Sequence, residues 1–129
     1  MTKIVWLLEE TVRAVHSRQI SEHGGSPGIR DEGLLLSALA RPQNLAAYGD
    51  PPPDLAALAA SYAFGIARNH PFIDGNKRVA LVAARTFLLI NSADLEATQE
   101  EKYATFLRLA EGGLSEDELA EWLRARIKQ

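Results

Sequence analysis

Between residues 70 and 78 the chain reads His-Pro-Phe-Ile-Asp-Gly-Asn-Lys-Arg, which places an imidazole, a carboxylate, a carboxamide and two cations within nine residues. So dense a set of polar groups is expensive beside an apolar core unless each has a partner. Their order suggests what the partner is. Gly75 lets the chain turn into a following helix with its first amides exposed, and such a helix end, with free N–H groups and the positive end of the dipole, favours anions and phosphate in particular. Lys77 and Arg78 in the first turn would ordinarily be disfavoured there. An anionic ligand resolves that conflict. Taken singly, each residue also has an ordinary structural reading: His70 as a helix-end side chain, Asp74 as an N-cap, Asn76 as a turn former, Lys77 and Arg78 as a solvated face. Phe72 reads as a core anchor that fixes the loop.

The flanking pattern supplies the elements that must position these groups. Asp54 opens a helix through Leu55, Leu58, Tyr62 and Ile66 that ends near Arg68 and Asn69, because Pro71 disfavours helical angles at His70. From Gly75 or Asn76 to Ile90 the next helix is apolar nearly all round, which predicts the buried centre of the domain. Arg85 falls seven residues after Arg78, roughly on the same face, and reads as solvent-facing, whereas Arg68 is left open. Upstream, Ile4, Val5, Leu7, Leu8, Val12 and Val15 recur at helical spacing and predict a first helix from Thr2 to about Gln19. It stops at the glycine- and proline-bearing turn Glu22 to Gly28. Asp31 caps a second helix through Leu34, Leu35, Leu36, Ala38 and Leu39, which Pro42 closes. Residues 41–53, with three consecutive prolines, read as an irregular excursion of lid or flap length. After a short connection, Thr98 with Glu101 and Ser115 with Glu118 are capping boxes that predict helices over 98–111 and 115–127. No strand of convincing length is present. The fold class is therefore all-α, a compact bundle of about six helices in one domain spanning 1–129.

Composition narrows the function further. A length of 129 residues with 47% hydrophobic content suits one core and one site. The formal net charge of −3 argues against direct nucleic-acid binding through a basic surface. With no cysteine, thiolate metal sites, disulfides and cysteine nucleophiles are excluded. No signal-like start or membrane-length apolar run is found, so the expectation is a soluble, cytoplasmic protein with no membrane association.

Taken together, His70 to Arg78 resemble the Fic/Doc family motif H-x-F-x-[DN]-[AG]-N-[GK]-R, and the segments Gly28 to Leu35 and Ala40 to Gln43 resemble its Doc branch. The likeness extends over most of the chain and implies the Fic/Doc helical fold. It implies that His70 is a general base, that Asp74 binds Mg²⁺, and that Asn76 with the amides from Gly75 onward forms an anion hole. Lys77 and Arg78 would neutralise the phosphates of ATP. Adenylylating members carry a glycine where this chain has Lys77 and an arginine where it has Leu81. Those departures match the Doc branch, in which the γ-phosphoryl group passes to a Ser or Thr hydroxyl of a target, elongation factor Tu, and translation stops. The branch consists of toxins restrained by an antitoxin segment lying in a groove as a helix. The family also implies a flap that holds the target by backbone pairing, which falls here on Gln43, Asn44, Leu45, Ala46, Ala47 and Tyr48. Self-restraint through an [S/T]-x-x-x-E-[G/N] helix is not expected, because Leu107 precedes Glu111-Gly112 at the required position. Transfer of AMP to a protein hydroxyl, and a helical module that binds nucleotide or partner without catalysis, remain as alternatives.

Overall fold

The computed structural model describes residues 3–129. Six helices follow one another: α1 (Glu9–His23), α2 (Glu32–Tyr48), α3 (Leu55–Asn69), α4 (Asn76–Ile90), α5 (Gln99–Ala110) and α6 (Glu116–Arg124). Two short strands, β1 (Asp94–Leu95) and β2 (Ile127–Lys128), pair antiparallel.

The capping residues read from the sequence start their helices. Asp31 accepts from the Leu34 N–H, Asp54 accepts from the Ala57 N–H, and both capping boxes close reciprocally. The helix after the active loop is a core element, as its composition predicts. The one before it is buried more completely, with ten buried residues in α3 against seven in α4, each 15 residues long. α3 packs against α2, α4, α5 and α6, and α1 lies on α4. Both sides of the loop that holds His70 are thus anchored in the densest part of the molecule.

Three expectations are corrected. The first helix starts at Glu9 rather than Thr2, which lies outside the described residues, and residues 3–8 carry no regular structure. Their backbone is satisfied elsewhere. The Val5 N–H donates to Asn91 Oδ1 at 2.8 Å, the Val5 carbonyl accepts from Asn91 Nδ2 at 2.9 Å, and the Leu7 N–H donates to the Tyr62 hydroxyl at 3.1 Å. Trp6 also stacks against Phe87.

Pro42 does not end the second helix, which continues to Tyr48. The proline removes a single intrahelical bond, the one to the Ala38 carbonyl. Burial of its ring and packing of Leu45 and Ala46 on the core offset that loss. The third correction concerns the last helix. It ends at Arg124 rather than 127, because Ile127 pairs with Leu95 across the two-stranded ladder.

Candidate functional site

α3 ends in a left-handed turn at His70, φ 48° and ψ 55°, a conformation that disfavours a residue bearing a Cβ by about 1–2 kcal/mol. Arg30 holds it there. Its Nε donates to the His70 carbonyl and its Nη2 to the Asn69 carbonyl, both at 2.7 Å, so one guanidinium closes the exposed carbonyl end of α3. The adjoining backbone reinforces the clamp. The N–H groups of Arg30 and Asp31 donate to the Pro71 carbonyl, and the Ile73 N–H donates to the Gly28 carbonyl, making a short bridge between Ile29 and Phe72.

Asn76 works inside the loop. Its Oδ1 accepts from the Phe72 N–H at 3.0 Å and its Nδ2 donates to the Phe72 carbonyl at 2.9 Å. That pair of bonds fixes which end of the carboxamide is which, so the Nδ2 that stands 3.3 Å from His70 Nδ1 is a donor. In this arrangement the neutral imidazole carries its proton on Nε2. For Nε2 to accept a proton the ring must take the other tautomer and give up the Asn76 contact. The side chain of Asn76, expected in the anion hole, has both ends of its carboxamide engaged within the loop in this structure.

Phe72 is 1% exposed, the core anchor its type suggested, and His16 of α1 stacks on it at 4.0 Å between ring centroids. The buried His16 ring also reaches the Asp74 carbonyl through Nε2 at 3.0 Å. A carbonyl only accepts, so Nε2 is the protonated nitrogen of that ring.

Asp74 is not the N-cap of α4. That position belongs to Gly75, in the left-handed region at φ 81°, and it offers no side chain to the helix start. The first-turn amides of α4 thus face the loop without a side-chain cap. Asp74 instead accepts from the Gly75 N–H through Oδ1 at 2.9 Å and from the Ser26 N–H through Oδ2 at 3.2 Å. A Cβ at Gly25, φ 116°, would stand 2.8 Å from Asp74 Oδ2, so only glycine fits beneath the carboxylate.

Among the described residues no three acidic or histidine side chains gather as a ready metal cage. An exposed carboxylate with lone pairs remaining beyond two N–H bonds suits Mg²⁺ that arrives with phosphates, since that ion keeps several waters and takes few protein ligands. Asp74 fits such an ion.

His70, Asp74, Gly75, Asn76, Lys77 and Arg78 all line one open cavity of about 330 Å³, with Ala67 and Ile73, and Ala110 of α5 on the far wall. The sequence-predicted site residues therefore converge. The predicted target flap does not join them. Residues 43–48 are helical, their backbone engaged within α2, and Asn44, Leu45 and Tyr48 line a different groove with Arg41 and Glu116. The segment that pairs with the loop is 26–31. No periodic pattern in the sequence marks Gly25, Ser26, Arg30 or His16, which come into place only when the chain folds back on itself. Arg85 sits outside the cavity in an exposed pair with Asp94, and Arg68 lies over the Phe64 ring.

Comparison with known proteins agrees with this geometry. Residues 6–88 match the Fic/DOC family. The chain is similar to Protein kinase doc of Escherichia phage P1, 36% identical over 115 residues, which cover 89% of this chain and 90% of the relative. It is also similar to Toxin Doc of Mycolicibacterium smegmatis, 49% identical over 74 residues, 57% of either chain.

Proposed function

The chain belongs to the Fic/DOC family, and from that premise we propose that it is a toxin-type protein kinase that passes the γ-phosphoryl group of ATP to a Ser or Thr hydroxyl. The observation that carries the reading is Lys77 in the wall of the His70 cavity, beside the first turn of α4, which lacks a side-chain cap. A lysine there reshapes the anion pocket that a glycine would leave open. Leu81, which takes the place of an arginine in adenylylating members, is half-buried and packs on the core. The pocket thus has cations for a polyphosphate but no second arginine one turn along the helix.

In the transfer, the target oxygen forms a bond to the γ phosphorus while the bond from that phosphorus to the β,γ-bridging oxygen breaks, and ADP departs. His70, its ring in the tautomer that frees Nε2 and gives up the Asn76 contact, takes the hydroxyl proton as the oxygen attacks. The amides of Asn76 and Lys77 and the side chains of Lys77 and Arg78 oppose the phosphate charge. Mg²⁺ held by Asp74 would supply charge neutralisation across the phosphates. Arg30 and Asn76 keep the base and the amides in register.

The resemblance to the Doc branch implies the setting. A toxin of this type pairs with an antitoxin whose helix lies in a surface groove, and the target hydroxyl lies on elongation factor Tu, with arrest of translation as the result. No helix among the described residues is long and apolar enough to cross a membrane; a cytoplasmic site of action is part of the same proposal.

Incubating the protein with elongation factor Tu and ATP labelled at the α or the γ phosphate tests the reading. Label from the γ position is expected on the target, and none with His70→Ala. Label from the α position would mean AMP transfer, and binding of ATP without any transfer would mean a non-catalytic module.

A further inference from the structure

Lys77 does not extend freely into the cavity. Its Nζ lies 4.4 Å from the centroid of the Tyr103 ring on α5 and 3.4 Å from the Tyr103 hydroxyl. Among the described residues no carboxylate pairs with Lys77. The difference matters chemically. A carboxylate would hold the ammonium by cancelling its charge, whereas an aromatic face attracts the ammonium and leaves the whole charge on it. The neighbours make such a restraint necessary, because Arg78 and the positive end of α4 both repel the ammonium. Unrestrained, this flexible side chain would point to solvent and lose rotamer freedom on meeting a ligand.

We propose that Tyr103 is a positioning residue that pre-sets Lys77 at the α5 side of the cavity, ready for a nucleotide phosphate. Tyr103 itself is 56% exposed and is absent from the cavity wall, so it acts through Lys77 rather than on the nucleotide. α5 meets the same cavity at Ala110, two turns further along, and is therefore a third structural support of the site beside α3 and α4. The inference rests on the reading that ATP binds at this cavity.

Calorimetric titration of the intact protein with the β,γ-imido analogue of ATP and Mg²⁺ tests it, with thermal unfolding confirming that each variant folds. Tyr103→Leu is expected to weaken binding about two- to fivefold, the usual strength of an exposed cation–π contact. Tyr103→Phe, which keeps the ring, is expected to bind within about twofold of the parent. In a Lys77→Met background, Tyr103→Leu is expected to cause no further loss, an outcome that a merely structural tyrosine would not produce. Equal losses with and without Lys77, or no loss in Tyr103→Leu, would overturn the proposal while leaving the nucleotide reading intact. No binding by the parent protein would overturn both.

Discussion

His70 is held in its left-handed turn by bonds to its backbone, and the residue supplying them stands forty positions upstream. Arg30 is not among the residues that line the cavity, and its guanidinium bonds to the carbonyls of Asn69 and His70, so replacing it should disturb the base more than the phosphate subsite. Arg30→Ala is expected to lower kcat about tenfold or more, the usual penalty for a misplaced catalytic group, with KM for ATP little changed. Arg30→Lys should behave almost as badly, because an ammonium cannot reach two carbonyls in the fork geometry of a guanidinium. Steady-state kinetics decide the matter, and a matched rise in KM would place Arg30 in nucleotide binding instead. At this scale the sequence was legible wherever chemistry was local. His70, Asp74, Gly75, Lys77 and Arg78 could be picked out because they fall within nine residues and their types conflict with a core. The duty of the Asn76 side chain could not, since pairing with the Phe72 backbone leaves no trace in residue type. Arg30 lies in a segment that resembles the family, yet its role as a clamp, like those of His16 and Tyr103, shows only when the fold brings it in.

Helix starts were more legible than helix ends or strand pairings. Caps announce themselves by residue type and spacing, and Asp31, Asp54, Thr98 and Ser115 all act as read. Pro42 and residues 3–8 misled because tertiary contacts overrode a local rule: buried packing kept one helix going, and Asn91 with Tyr62 claimed the backbone of a helically spaced segment. The Asp54 cap also carries a testable charge effect. The Arg124 guanidinium, bonded to both carboxylate oxygens at 2.7 and 3.0 Å, holds the Asp54 carboxyl below the usual carboxylate range. A depressed folded value contributes stability that is present above the unfolded carboxyl value and lost as pH falls through the folded one. The pair is about half exposed, so screening limits it to about 1 kcal/mol or less. Asp54→Asn keeps a capping oxygen and loses the charge. It is expected to be less stable than the parent at pH 7 and to converge with it only as pH falls below the usual carboxylate range, read from urea midpoints at each pH. A gap that persists unchanged in acid would assign the loss to capping rather than to the ion pair.

Over the whole molecule, the helices on either side of the loop are the two most heavily packed, and α3 touches four of the other five. A ligand gripped by this loop is thus coupled to the cooperative unit, and saturation should stabilise all of it. At a free ATP concentration a hundred times its dissociation constant, with Mg²⁺ present, the gain is about 2.7 kcal/mol, a rise of several degrees in melting temperature. Asp74→Asn should lose much of that rise, while His70→Ala should retain it. A melting temperature indifferent to Mg²⁺ and ATP would contradict the nucleotide reading.

The nine residues that carry the chemistry do not hold their own shape. They enter through a left-handed histidine and leave through a left-handed glycine, and what steadies both bends comes from α1 and the stretch between α1 and α2. The pattern is thus a lock whose wards lie in another part of the text. In this chain those wards are Arg30, forty places ahead of the histidine, and Gly25, five places before that arginine.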